Sequence, residues 1–553
     1  MSQMLFLSAL ILAVFCSCAA AAFVVGRMGM RVARLSKVTA ACLSETRTRQ
    51  QCDNSLLVLR MSSDIEQFET ADRGDLLKRQ LFCNVELNGE HLDAIGFDMD
   101  FTLAQYNEAF DLLAFNGAKA NLIEKLGYPS LVSDIEYTPE DFRRGLIIDK
   151  NRGNVLKIDK HRYVRKAVHG LTVLSQDERK SCYNSHVSSF TESNYVNIDT
   201  IFLLVDAALF ANLVDLKDKN PDQFNNKSYE QLYKDVRSAV DICHRDGVIK
   251  DSVIANPAKH IIYDQNLVPM LLRLKNEGKK VFLLTNSMWE YTNAVMEYLV
   301  HSQGDYKDKN WEDLFDVIIV GASKPGFLTD AYLSMFKVNK QGFLSNIEDK
   351  EKIDATHLQK ESKTFQGGCW LDLHKMMDIT SGDRILYVGD HMYSDILRSK
   401  RTLGWRTCLV IPELDTELQV TLEEANLSNE LIQLRRLQYD LDEYMDILRQ
   451  KEILGIDIGD ALNQAQTKAV ELKESVYILN EKYNKKFNKN WGQLFKAGHR
   501  ESRFAKQVTD YACLYTSKAS NFRFVSANRP FRPAFPRDFV PHEKIVGTQH
   551  EGY

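Results

Sequence analysis

The segment IGFDMDFTLAQY, residues 95–106, runs apolar and then stops in two acids, Asp98 and Asp100, followed by Thr102. Acids at a strand end are ordinary turn or cap residues. Paired this closely they can also do chemistry. One carboxylate attacks phosphorus while its neighbour handles a proton. Two residues apart in an extended segment, they point to one side, and they repel unless a cation neutralises them. Three later apolar runs end in matching groups. KKVFLLTNS reaches Thr285 and Asn286, FDVIIVGASK reaches Lys324, and DRILYVGD reaches Asp390, with Asp395 close behind in GDHMYSD. Asp390 adds a third hard oxygen ligand, and an oxygen-only set beside a phosphate suits Mg²⁺. Thr285, helped by the amide of Asn286, can bond a phosphate oxygen. Lys324 can hold the negative charge that grows on a transferred group. Asp395 can orient Lys324 or the waters of the metal. Singly, each has a plainer reading: a solvated lysine before proline, a Thr-Asn-Ser turn, a helix cap. In this order, at successive strand ends, they describe a phosphoryl-transfer site.

The runs that carry these groups are nearly continuous in β-branched and aromatic residues, and WRTCLVIP adds a fifth. Such runs suit strands buried on both faces of a parallel sheet. Helical stretches lie between them, LVPMLLRLKNEGK and YSDILRSKRTLG among them. The alternation predicts an α/β protein with a doubly wound parallel sheet, whose ligands sit at the carboxyl ends of the strands. About 170 residues separate the first of these strands from the second, where about a dozen suffice for a crossover. We therefore expect a catalytic core over 85–107 and 263–414 and a large inserted cap domain over 108–262. Residues 415–490 have helical period and dense charge, and read as a pair of long helices. The Pro- and Arg-rich end reads as an extended strap, so that 415–545 forms a helical hairpin and strap.

The composition of the 553-residue chain, 44% hydrophobic and 26% charged with a net charge of −5, is that of an ordinary globular protein. It gives no reason to expect a nucleic acid partner. Residues 1–60 differ. MLFLSALILAVFCSCAAAA is an apolar run ending in small residues, too short for a convincing membrane span. The next stretch, from Phe23, holds Arg27, Arg31, Arg34, Lys37, Arg47 and Arg49 against a single acid, Glu45. A signal peptide followed by a transit-type segment resembles the leader of proteins sent to plastids with extra membranes. The alternative is the secretory pathway, and no membrane anchor is expected after processing. Beyond the leader, Cys83, Cys182, Cys243, Cys369, Cys408 and Cys513 are scattered singly, which favours free thiols over a disulfide framework.

DMDFT, LLTNS, SKP and GDHMYSD resemble the four motifs of the haloacid dehalogenase-like phosphatases. Longer segments, GFDMDFTLAQY, DVRSAVDICH, GDHMYSDILRSKRTLGWRTCLVIPEL and LFKAGHRESRFAKQVTDYACLY, resemble the cytosolic purine 5′-nucleotidases and their nucleotidase-domain relatives. The resemblance runs from about residue 80 to 545. It implies that Asp98 is the nucleophile that forms an aspartyl-phosphate and that Asp100 protonates the leaving 5′-oxygen. It also implies that Asp98, the backbone carbonyl of Asp100, and Asp390 hold Mg²⁺, that Thr285 and Lys324 bind phosphate, and that a homo-oligomer is possible. In the family an acid and an arginine stand just before the Lys-Pro pair. Here Gly321 and Ser323 take those places, and Asp199 and Leu203 stand where the purine enzymes carry Asn.

Arg237, Asp241 and His244 follow helical spacing and share one face. Helix physics alone makes them a solvated stripe with an internal salt bridge. Phe202, in TIFLL, would be a core aromatic. The resemblance instead implies that Phe202, Arg237, Asp241, His244 and Lys250 hold a nucleoside 5′-monophosphate. Three readings stand: a Mg²⁺-dependent 5′-nucleotidase, a phosphatase or phosphotransferase for another phosphomonoester, and a catalytically silent nucleotide-binding regulator. None of the catalytic side chains is missing, which argues against the last.

Overall fold

The computed structural model describes residues 77–183, 190, 192–347 and 363–533. The expected leader, residues 1–60, and the end of the expected strap, from 534, lie outside the described residues. No helix among the described residues is long and apolar enough to cross a membrane. The six described cysteines are all free, four of them buried.

A ten-stranded sheet organises the chain. At its centre Ala94–Phe97 lies between Lys280–Leu284 and Ile385–Gly389, parallel to both. The parallel run continues on one side through Val317–Val320 to Thr364–Gly367 and on the other through Arg406–Val410 to Leu514–Thr516. Antiparallel strands close both ends: Phe82–Cys83 on one, and Met335–Val338 with Leu344–Asn346 on the other. All five strands expected from the apolar runs are present. The sheet also takes in Phe82–Cys83 and Leu514–Thr516, short strands outside the two expected core segments. Each is only two or three residues long, too brief for a periodic signal.

Alternation along the central strands decides how the sheet is buried. Ile95, Phe97, Val281, Leu283, Leu386 and Val388 join one hydrophobic cluster, while Ala94, Phe282, Leu284, Ile385 and Tyr387 join another. Both faces are therefore covered, as the unbroken apolar runs require. The first cluster also contains Leu267, Val268, Leu271 and Leu274 of the helix Leu267–Asn276. The second contains Phe327, Leu328, Leu373 and Trp405.

Between Ala94–Phe97 and Lys280–Leu284 the chain builds a five-stranded antiparallel sheet, centred on Asn154–Ile158, and the long helices Glu108–Glu124, Leu203–Lys219 and Tyr229–Arg245. Phe110, Phe115, Phe210 and Val236 from these helices belong to the same cluster as Phe97 and Leu283. The helices thus pack as one continuous interior with a face of the main sheet. Between the main-sheet strands Arg406–Val410 and Leu514–Thr516, Ala425–Ile453 and Ala461–Phe487 form a helical pair.

The centre of the sheet has no slack. A Cβ on Gly96 would overlap the ring of Phe282 on the neighbouring strand. We expect Gly96→Ala to cost about 3 kcal/mol through overpacking. Urea denaturation checks this, and Gly96→Ala with Phe282→Leu should cost less than the two single losses added together.

Candidate active site

Four parallel strands bring their carboxyl ends to one edge, and each delivers a chemical group. Asp98 follows Phe97 directly, and its N–H continues the ladder by donating to the Val388 carbonyl at 2.9 Å. The chain then turns: Thr102, Leu103 and Ala104 all donate to the Met99 carbonyl. Asp98 and Asp100 are therefore neighbours through a turn, not through strand alternation as the spacing suggested. Phe101 sits in this turn at a φ of +52°, a strained value for a bulky residue. Its ring is held edge-on by Phe202 at 4.7 Å and by Tyr106 at 5.1 Å.

Lys324 is the hub. Its ammonium lies 2.9 Å from Asp98 Oδ2 and 2.8 Å from Asp395 Oδ1, and donates to the Tyr387 hydroxyl at 2.9 Å. The Tyr387 hydroxyl in turn donates a hydrogen bond to the Leu284 carbonyl at 2.9 Å. All three ammonium donors are occupied. Burial works against the charge on Lys324, but Asp395 and Asp98 outweigh it and hold the amine protonated well beyond its ordinary range. The backbone of Lys324 is clamped as well. Asn286 accepts from its N–H at 2.6 Å and donates to its carbonyl at 3.1 Å. The side chain expected beside phosphate is thus spent on positioning the lysine. Thr285 is fully buried, and its hydroxyl accepts from the Ser287 N–H at 3.1 Å.

Oxygens of Asp98, Asp390 and Asp395 lie within 4.8 Å of one another. Three carboxylates against one ammonium leave an excess of two negative charges in a buried place. Burial raises the Asp98 carboxyl to about 7 against the pull of Lys324, with Asp395 and Asp100 adding to the rise. Asp390 is likewise raised well above the usual carboxylate range, by burial and then by Asp395 and Asp98. An all-oxygen group with surplus negative charge is what a hard divalent cation requires, so these residues fit such an ion. Asp390 accepts from the Thr200 hydroxyl at 3.3 Å, and its carbonyl accepts from Arg144 at 2.8 Å. Asp395 approaches the Ile385–Gly389 strand so closely that a Cβ on Gly389 would stand 2.5 Å from its Oδ2.

The Asp100 carboxylate has separate partners. Tyr106 donates to Oδ1 at 2.5 Å and Ser287 to Oδ2 at 2.7 Å. Burial raises its pKa, and these two hydrogen bonds oppose the rise.

The five expected substrate residues divide. Phe202 stands edge-on to Phe101 and, at 6.2 Å, to His244. Lys250 is close enough for its charge to act on both Asp100 and His244. Arg237 and Asp241 are joined to each other, as helix spacing predicts, and Arg237 also grips buried Asp206 at 2.9 Å. Arg237 and Asp241 line a cavity of about 340 Å³ to which none of Asp98, Asp100, Asp390 and Asp395 contributes. The two departures before Lys324 have a backbone basis. Gly321 and Ser323 take φ values of +53° and +57°, and a Cβ on Gly321 would press on Met288 Sδ at 2.9 Å. Asp199 is half-buried near the charges of Arg503, His391 and Arg144, with one oxygen lacking a hydrogen bond among the described residues.

A model of the 5′ nucleotidase family matches residues 81–545. The chain belongs to that family. It is 28% identical over 505 residues to a 5′-nucleotidase domain-containing protein of Dictyostelium discoideum, covering 88% of this chain and 80% of that one. Two solved structures show a far looser likeness. One is a β-phosphoglucomutase from Pyrococcus sp. strain ST 04, 14% identical over 57% of this chain and 86% of that one, with a TM-score of 0.25. The other is a predicted phosphoglycolate phosphatase from Haemophilus somnus 129PT, 12% identical over 58% and 85%, with a TM-score of 0.24. Membership rests on the sequence match, and with it comes the class of enzyme, a 5′-nucleotidase hydrolase.

Several partners in this 5′-nucleotidase escaped sequence reasoning: Tyr106, Ser287, Tyr387, Thr200 and Arg144. Tyr106 closes the very segment that announces the site, and Ser287 ends LLTNS. Tyr387 is hidden inside an apolar strand.

His244 supplies a pH test. Burial lowers its pKa to about 4, helped by Arg237 and Lys250. The unfolded chain, with an imidazole near the ordinary 6.5, binds the extra proton first. This group's contribution to stability is therefore present above pH 6.5 and is lost as pH falls toward 4. His244→Gln should flatten the drop in urea midpoint between pH 7 and pH 5 relative to the parent.

Proposed function

We propose that this enzyme hydrolyses nucleoside 5′-monophosphates through a phosphorylated Asp98. One observation carries the assignment of the nucleophile. Of the two carboxylates that hold Lys324, Asp395 is fully enclosed, whereas the Asp98 side chain is 13% exposed. Only Asp98 can meet an incoming phosphorus.

The reaction then follows from the partners of each group. A carboxylate oxygen of Asp98 attacks phosphorus in line, and the bond to the 5′-oxygen breaks. Asp100, whose proton burial helps retain, donates it to that oxygen. Tyr106 and Ser287 keep its carboxyl in place. Once Asp98 is esterified its negative charge is gone, and the Lys324 donor it occupied turns to a phosphoryl oxygen. The Thr285 hydroxyl and the backbone N–H of Asn286 take further phosphoryl oxygens. In the second half Asp100 removes a proton from water, the water attacks phosphorus, and Asp98 is released with inorganic phosphate. Mg²⁺, when bound, neutralises the charge that accumulates on phosphate and carboxylates. Asp98, the carbonyl of Asp100, and Asp390 would hold it, with Asp395 beside them. Phe202, neutral His244 and Lys250 meet the nucleoside, and Arg237 and Asp241 extend that surface.

Three measurements bear on this reading. Exhaustive chelation should abolish turnover, and Mg²⁺ but not Zn²⁺ should restore it. Asp98→Asn should fold as the parent does and lose at least about a thousandfold in kcat. Asp241→Ala should lower kcat/KM for nucleoside monophosphates while sparing p-nitrophenyl phosphate. If no nucleotide is hydrolysed better than that small ester, the nucleotide assignment fails.

A further inference from the structure

The Asp100 carboxyl is held at both oxygens, and one of its holders is itself held. Ser287 donates to Oδ2 at 2.7 Å and Tyr106 to Oδ1 at 2.5 Å. Behind Tyr106, the Tyr291 hydroxyl lies 3.0 Å from the Tyr106 hydroxyl. Tyr291 stands in the first turn of the helix Trp289–His301, just after Ser287. Both tyrosines are buried and pack in the large hydrophobic cluster. The Tyr106 ring is fixed by Phe110, stacked at 4.2 Å, and its backbone pairs with Ile261. Phenylalanine would fill the place of Tyr291 without taking a hydroxyl out of water. The hydroxyl therefore has a use, and Tyr106 is its one hydrogen-bond partner among the described residues.

The direction of the chain follows from counting protons. Each hydroxyl has one to give. Ionised Asp100 can only accept, so Tyr106 donates to Oδ1 and its oxygen is left to accept from Tyr291. The reverse order would strand the Tyr291 proton with no acceptor among the described residues, a costly defect in a buried place. Tyr291 thus decides which way the Tyr106 proton points. With Oδ1 committed as acceptor, Asp100 carries its own proton on Oδ2. That oxygen is the one beside Ser287, on the side of Thr285 and Asn286.

We propose that Tyr291 is a positioning residue for the acid step: acting through Tyr106, it keeps the Asp100 proton on Oδ2, where the leaving oxygen receives it. This rests on Asp100 being the acid, as proposed above. An Asp98 oxygen bonds to phosphorus, the electron pair of the breaking bond goes to the leaving oxygen, and the Oδ2 proton follows it. Without the Tyr291 hydroxyl, Tyr106 can turn its proton away and accept from Oδ1, and the Asp100 proton then spends part of its time on the wrong oxygen.

A series of phosphate monoesters of rising leaving-group pKa tests this, read as kcat/KM so that only steps up to transfer onto Asp98 count. A poor leaving group needs the proton and a good one does not. The parent should show a shallow slope of log kcat/KM against leaving-group pKa, and Asp100→Asn a steep one. Tyr291→Phe should steepen the slope in part, with a loss of about tenfold for an alkyl ester, and Tyr106→Phe should steepen it more. The double variant should match Tyr106→Phe alone, because Tyr291 acts only through Tyr106. Circular dichroism and the urea midpoint establish that the variants fold. If Asp100→Asn keeps the parent slope, Asp100 is not the acid and the role of Tyr291 falls with it. If Asp100→Asn steepens the slope but Tyr291→Phe slows every ester alike, or the two tyrosine effects simply add, the proposal alone is overturned.

Discussion

A protonated lysine enclosed in protein must be paid for by fixed negative charge, and the active site is arranged around that need. Lys324 stands between Asp98 and Asp395, with Tyr387 as third acceptor. An ammonium removed from water costs several kcal/mol unless its partners are close and themselves well bonded. The lysine and its partners come from three strands: Ala94–Phe97 supplies Asp98, and Ile385–Gly389 with the helical turn after it supplies Tyr387 and Asp395. Lys324 itself follows Val317–Val320. The fourth, Lys280–Leu284, contributes Asn286, which clamps the lysine backbone. Moving any strand along its axis would separate charges that hold one another in a poor solvent.

The same arrangement leaves the site overcharged. One lysine cannot balance three aspartates, and burial raises the carboxyls of Asp98 and Asp390 in response. In the proposed reaction a divalent cation and a phosphate complete the balance that the side chains leave open. The intervening region is not a separate lid in this respect. Arg144 and Thr200 reach Asp390 from it, and Phe202 steadies the strained turn at Phe101. Changes in that region therefore act on Asp390 and on the turn that follows Asp98 as well as on whatever substrate it meets.

What the sequence revealed follows from chemistry that is local in the chain. The parallel strands were legible because both faces are buried, which writes each as an unbroken apolar run. Asp98, Asp390 and Lys324 were legible because they interrupt those runs at the end. The partners were not. Tyr387 lies inside an apolar strand and differs from a core aromatic only through the lysine that meets its hydroxyl. Tyr106 and Ser287 converge on Asp100 from positions 181 residues apart, which spacing cannot encode. Leu514–Thr516 pairs with Arg406–Val410 after the helical pair, a closure too short to show periodicity. The salt bridge between Arg237 and Asp241 was visible as i and i+4, but the grip of Asp206 on that arginine was not.

The claim that matters most is that Asp98 carries the phosphoryl group. The direct measurement is an acid quench during turnover of a nucleoside monophosphate labelled in its phosphate, followed by peptide mapping of the protein. The account predicts a hydroxylamine-sensitive phosphate on the peptide that contains Asp98, absent from Asp98→Asn. Steady turnover with no labelled protein at any quench time, or label on a different residue, would contradict it.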